Sequence, residues 1–166
     1  MLQNEHNVNL EIRALTDAGL REAIGGVCIH WALLELTVER LLSTLEGTPG
    51  TLRYESDLGA NLQKLDRMIE IPGRLDAGQA KDIRKLIERT RELRKERHRV
   101  THGLWGKDES GVIHSVFPAL RRDVPPVKPV VVDDIRQLKL RILTLGKSFR
   151  RYVDPLDSVR IQWEKE

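Results

Sequence analysis

Arg97, His98 and His102 are the residues whose types and spacing best fit a reaction centre in this chain. An arginine keeps its charge, and its planar fork matches the oxygens of a phosphate or a carboxylate. Imidazoles exchange protons near neutral pH, so a histidine beside such a fork supplies the acid or base that phosphoryl transfer uses. Position 97 adds weight to the grouping. At about 100° per residue, Arg97 points between Leu86, Thr90, Leu93, Val100 and Leu104, in the middle of an apolar arc. A charge there needs a carboxylate, a phosphate or a wet cleft. His98 and His102 are one turn apart at the border of the same arc, and Arg91 and Arg94 continue that border toward the helix start. With Arg99 they are the expected contacts to a substrate's phosphates.

The elements that must hold these residues are mostly helices. Leu20, Ile24, Val27, Trp31, Leu34, Val38, Leu41 and Leu45 recur at steps of three and four, which predicts a helix from Asp17 to Glu46, capped by Thr16 or Asp17 and ended by Gly47. A second helix is expected over Ser56 to Glu70, stopped by Ile71-Pro72-Gly73. The third runs from about Asp76 to His102 with Ala80, Ile83, Leu86, Ile87, Thr90, Leu93 and Val100 inward, and Gly103 closes it. Asp108-Glu109-Ser110-Gly111 is turn chemistry between short strand-like runs, so a hairpin is expected over 104–117. Pro118 to Val132 holds four of the seven prolines and reads as an extended crossover. A last helix follows from Asp133 to Val153 with Ile135, Leu138, Ile142, Leu145 and Phe149 inward, and Pro155 lies beyond it. In the tail, Val159, Ile161 and Trp163 alternate as an edge strand would.

These readings combine into an all-α fold, an antiparallel four-helix bundle with a short β-hairpin insertion between the third and fourth helices. One domain is expected over 1–166, with its core over 17–153, the hairpin at 104–117 and a tail at 154–166. Composition agrees, because 40% hydrophobic and 32% charged residues with only 4% aromatics suit amphipathic helices better than a β-sandwich. No apolar run is long enough to span a bilayer, and Met1 to Leu10 lacks the pattern of a signal peptide, so a cytoplasmic protein without membrane contact is expected. Cys28 is the single cysteine, which excludes an internal disulfide and suggests a small core residue.

The stretch Glu96-Arg97-His98-Arg99-Val100-Thr101-His102-Gly103-Leu104-Trp105-Gly106 resembles the signature of the HEPN superfamily, in which an arginine, a polar residue and a histidine close the third helix of a four-helix bundle. Trp31-Ala32-Leu33-Leu34-Glu35 is similar to the matching stretch of many bacterial members. The likeness covers about Asp17 to Val153 in order of elements, with specific residues at these two places.

It implies a metal-independent endoribonuclease without cofactors, working as a homodimer whose motifs meet across the interface. His102 would act as base or acid at the ribose 2′-hydroxyl or the leaving oxygen, Arg97 would hold the phosphate, and His98 would assist, leaving a 2′,3′-cyclic phosphate. Many relatives are toxins restrained by an antitoxin protein, or act against phage. Some of these toxins carry a tyrosine two residues after the histidine, which the partner modifies; Leu104 stands there in this chain.

Other readings stay open. The basic run from Lys81 to Arg99 is either a phosphate-attracting face or a surface neutralised at helical spacing by Asp82, Glu88, Glu92 and Glu96. His98 and His102 have the spacing of two zinc ligands, but no Glu follows His98 and no third ligand is evident. Glu35 is a surface carboxylate or the group that neutralises Arg97 or Arg94, and the second is the working expectation. His30 reads as a hydrogen-bonded border residue, His114 as exposed, and Trp105 as the residue that packs the hairpin on the helices. The rivals to a nuclease are a non-catalytic RNA- or nucleotide-binding module of the same fold and a structural adaptor.

Overall fold

A carboxylate starts the first helix. Asp17 Oδ1 accepts the Leu20 N–H at 2.9 Å, and α1 then runs over Ala18–Glu46 until Gly47, at φ 88°, turns the chain and donates to the Ser43 and Thr44 carbonyls. The structure, a computed structural model, describes residues 17–48, 57–108, 110–116 and 127–163. Thr16, Ser56, Phe117 and the first part of the proline-rich crossover lie outside them.

The next two helices, α2 over Leu58–Met68 and α3 over Ala77–His102, follow the expected spans closely. Asp76 and Gln79 cap α3 reciprocally, with Gln79 N–H donating to Asp76 Oδ1 at 2.8 Å and Asp76 N–H to Gln79 Oε1 at 3.1 Å. Three short strands follow: β1 over Leu104–Lys107, β2 over Ile113–Val116 and β3 over Val127–Pro129. They pair antiparallel in the order β1-β2-β3, with Trp105 opposite Ser115 and His114 opposite Pro129. The expected hairpin is therefore part of a three-stranded sheet. Its third strand escapes a proline-based reading because β3 is an edge strand, where Pro129 sits without breaking a ladder on both sides.

The fourth helix, α4, covers Val132–Trp163 and so overturns the expected strand in the tail. A proline removes one N–H and crowds the preceding turn, yet helix lies on both sides of Pro155 and continues through it. Alternation of Val159, Ile161 and Trp163 was too short a pattern to outweigh that continuity.

All four helices share one apolar core with β2. Leu20, Val27, Trp31, Leu34, Val38 and Leu41 from α1 meet Leu62 and Leu65 from α2, Ile83 and Ile87 from α3, and Ile142 and Phe149 from α4. Thr90, the polar residue on the inner face of α3, is fully buried and donates its hydroxyl to the Leu86 carbonyl at 2.7 Å. Two inward expectations fail at the margins: Leu104 is 64% exposed because α3 has ended before it, and Cys28 is exposed because it stands one step past the Val27 stripe. None of the described helices is long and apolar enough to cross a membrane.

Asp17 does more than cap α1. Its second oxygen accepts Lys107 Nζ of β1 at 2.9 Å, tying the sheet to the start of the helix. The Leu20 N–H first, then the Lys107 ammonium, hold this carboxyl below its ordinary value. A depressed folded-state value means stability that is complete above about pH 4 and lost as pH falls further. Asp17→Asn keeps an acceptor for the cap but gives up the ion pair. Thermal unfolding from about pH 6 down to about pH 3 should find the variant less stable near neutrality and converging on the parent in acid; parallel curves would contradict the coupling.

Candidate functional site

The end of α3 is fixed from three sides. Thr90, Leu93 and Val100 anchor its inner face, and the Trp105 indole N–H of β1 donates back to the Val100 carbonyl at 3.2 Å, so the sheet closes over the last turn as expected for Trp105. Gly103 N–H donates to the Arg99 carbonyl at 3.0 Å. Gly103 has an ordinary φ of −70°, so handedness does not select it. Space does, because a Cβ there would lie 2.6 Å from the Arg99 carbonyl oxygen.

Arg97 turns from this helix onto α1. Its Cζ lies over the Trp31 ring, 5.5 Å from the centroid, and its Nε is buried with no hydrogen-bond partner. The expectation of an inward-facing guanidinium thus meets an aromatic face where a carboxylate was anticipated. Such a contact is worth ~0.5–2 kcal/mol depending on desolvation. Trp31 itself is only 2% exposed, and its indole N–H donates to Glu35 Oε1 at 2.7 Å. Glu35 is therefore the acceptor for the indole, and it makes no ion pair with Arg97 or Arg94 among the described residues. The apolar spacing of α1 marks Trp31 as core but hides this role. The available signal was an arginine on one apolar arc and an indole on the facing one.

His98 and His102 come together. Their ring centroids are 4.6 Å apart with planes tilted by 50°, and both residues are exposed. Ring contact brings the two imidazoles into one group, while the Arg97 guanidinium lies against Trp31 of α1.

Of the flanking arginines, Arg91 pairs with Asp66 at 3.3 Å and Arg94 with Asp57 at 3.2 Å, while Arg99 is exposed. The described contacts neutralise part of the basic run, mostly from outside α3: Arg84 reaches Glu70 and Asp66 of the α2 region, whereas Glu96 is taken up by both Nη atoms of Arg141 on α4. Only Lys85 with Asp82, at 3.2 Å, follows the expected spacing within α3 among the described residues. A substrate phosphate would have to compete with Asp57 and Asp66 for Arg94 and Arg91.

The remaining histidines have local partners. His30 donates its Nδ1–H to the Gly26 carbonyl at 2.8 Å, a border role. His114 is not exposed as expected: its side chain is 13% accessible, and Nε2 donates to Asp108 Oδ2 at 2.7 Å, because the hairpin turn folds Asp108 back over the ring. Ser110 and His114 hold the Asp108 carboxyl well below the usual carboxylate range. Among the described residues, no group of three or more His, Cys, Asp or Glu side chains converges as a metal cage.

No protein-family model matches the chain, and neither does any curated protein or solved structure. The resemblance to HEPN domains expected from the sequence rests on residues 96–106 and 31–35, and these comparisons add nothing to it.

If Glu35 serves as acceptor for an indole, its charge is dispensable. Glu35→Gln should stay within ~1 kcal/mol of the parent in urea unfolding, whereas Glu35→Leu, which leaves a buried N–H unanswered, should cost ~1–3 kcal/mol. Equal losses in the two variants would instead make Glu35 a counterion.

Proposed function

We propose that the chain is a HEPN-type four-helix bundle that cleaves RNA without a metal ion, as a cytoplasmic homodimer and a toxin or phage-defence effector. The observation that carries this reading is the permanently charged Arg97, held on Trp31 with no carboxylate partner among the described residues, in the same two turns of helix as a touching pair of imidazoles. A structural ion pair would have matched the guanidinium with an acid. With no acid matched to it among the described residues, it is suited to a phosphodiester.

In this mechanism a neutral imidazole, assigned to His102, takes the proton of a ribose 2′-hydroxyl. The 2′-oxygen forms a bond to phosphorus while the bond to the 5′-oxygen breaks, and a protonated imidazole returns a proton to that leaving oxygen. The product ends in a 2′,3′-cyclic phosphate. Arg97 holds the phosphoryl oxygens as their charge develops, and His98 orients its neighbour through the ring contact. Arg99 is the exposed cation best placed to follow the RNA backbone, with Arg91 and Arg94 joining if Asp66 and Asp57 release them.

The proposed dimer joins the ends of α3. α1 also carries an outer apolar stripe of Ile29, Leu33 and Leu36, exposed by 61%, 52% and 38%. That stripe lies roughly 140–160° around the helix from Trp31, so contact through it would hold the two centres apart. An antitoxin is the natural candidate to cover the exposed end of α3 in the resting cell.

A second reading is supported by the exposure of both imidazoles: the same residues could hold RNA without cutting it. The two separate on RNA incubated in EDTA. Cleavage by the parent should fall by ~10²–10⁴ in His102→Ala and ~10²–10³ in Arg97→Ala, with cyclic phosphate ends on the products. Binding without cleavage supports the module, and cleavage that survives both substitutions contradicts the assignment.

A further inference from the structure

The imidazole pair has a second chemistry that does not depend on RNA. His98 and His102 stand one turn apart on α3, both exposed, with ring centroids 4.6 Å apart. Rings in contact leave the helix on the same side, so small rotations about their side-chain bonds can turn one nitrogen of each toward a single point. Two imidazole nitrogens each at ~2.0–2.1 Å from one ion is the geometry of a divalent transition-metal chelate.

The backbone beneath them is already set. Val100 and Thr90 anchor the inner face of α3, and Trp105 and Gly103 fasten its last turn, so chelation orders little beyond the two side chains. The carbonyl end of the helix carries partial negative charge, which favours a cation near His102. Opposing this, Arg97, Arg99, Lys95 and Arg94 lie on the same helix, and only Arg94 of these is paired with an acid by a described contact. No third protein ligand converges among the described residues, so water would complete the coordination.

We propose that His98 and His102 form a two-histidine surface site for a borderline or soft divalent cation of the zinc, copper or nickel class, and that an ion bound there silences the imidazoles. Imidazole nitrogen selects these ions over magnesium and calcium, which prefer oxygen. The ion takes the lone pairs that proton transfer needs. Metal binding stands on the ring geometry alone; its inhibitory consequence rests on the nuclease reading, for which the ion is a competitor and not a cofactor.

Copper(II) and zinc(II) salts titrated into the full chain, followed by calorimetry and by the nitrogen hyperfine structure of bound copper, test the site directly. One ion per chain with two imidazole nitrogens is expected. Because chelation makes the second contact intramolecular, His98→Ala and His102→Ala should each weaken binding about a hundredfold. His102→Cys, which restores a zinc ligand, should recover zinc affinity, a rescue that a merely structural role for His102 does not predict. Unchanged affinity in both alanine variants, or copper bound through a single imidazole, overturns the site. RNA cleavage in EDTA and in zinc is read in parallel. If the parent does not cut RNA in EDTA, the nuclease reading fails while the chelate stands; if it cuts equally well with zinc bound, the inhibitory role fails.

Discussion

The guanidinium of Arg97 lying on the face of Trp31 is the contact on which the account turns. It converts an arginine that the helical period aims at the core into one that the core tolerates. The aromatic face offsets part of the charge without neutralising it, and the indole N–H, which would otherwise be buried without an acceptor, is answered by Glu35. A carboxylate in the same place would have quenched the cation. An indole leaves the guanidinium able to meet an anion, at the cost of an Nε that remains unbonded.

The rest of the architecture supports that contact. α1 supplies Trp31 from a face that is otherwise aliphatic, and α3 carries Arg97 across to it because Ile83, Ile87, Thr90 and Leu93 fix the helix against the same core. Beyond His102 the small sheet prevents fraying. Trp105 bonds to the last turn, and Lys107 reaches the cap of α1, so the two helices that share the arginine are also linked through β1. The paired basic residues give α3 a surface braced to its neighbours by Asp57, Asp66, Glu70 and the Arg141 of α4.

Much of the fold was legible in the sequence because helical periodicity is a local signal. The apolar ladders of α1, α3 and α4 name most of the core, missing Ala23 and Leu42 and including Ile24 and Ala80, which are only half-buried, and Asp17 and Asp76 mark helix starts by their chemistry. What stayed hidden depends on partners distant in sequence. β3 needs β2 to exist as a strand, and the tail reads as a strand until its continuity with α4 is seen. The same divide runs through the site. His98 with His102 follows from spacing alone, whereas the partners of Arg97, Arg94 and Glu35 lie on other helices or are shared with a side chain that periodicity marks only as core.

The most direct measurement is nuclear magnetic resonance of the Arg97 Nε–H, a covered proton whose signal should survive exchange with water. Titration with a dinucleotide blocked by methylation at its 2′-oxygen should move that resonance and the ring signals of His102 along one binding curve. Shifts confined to Arg91, Arg94 and Arg99, with the Arg97 signal unmoved at saturation, would show that the phosphate goes elsewhere and would contradict the account.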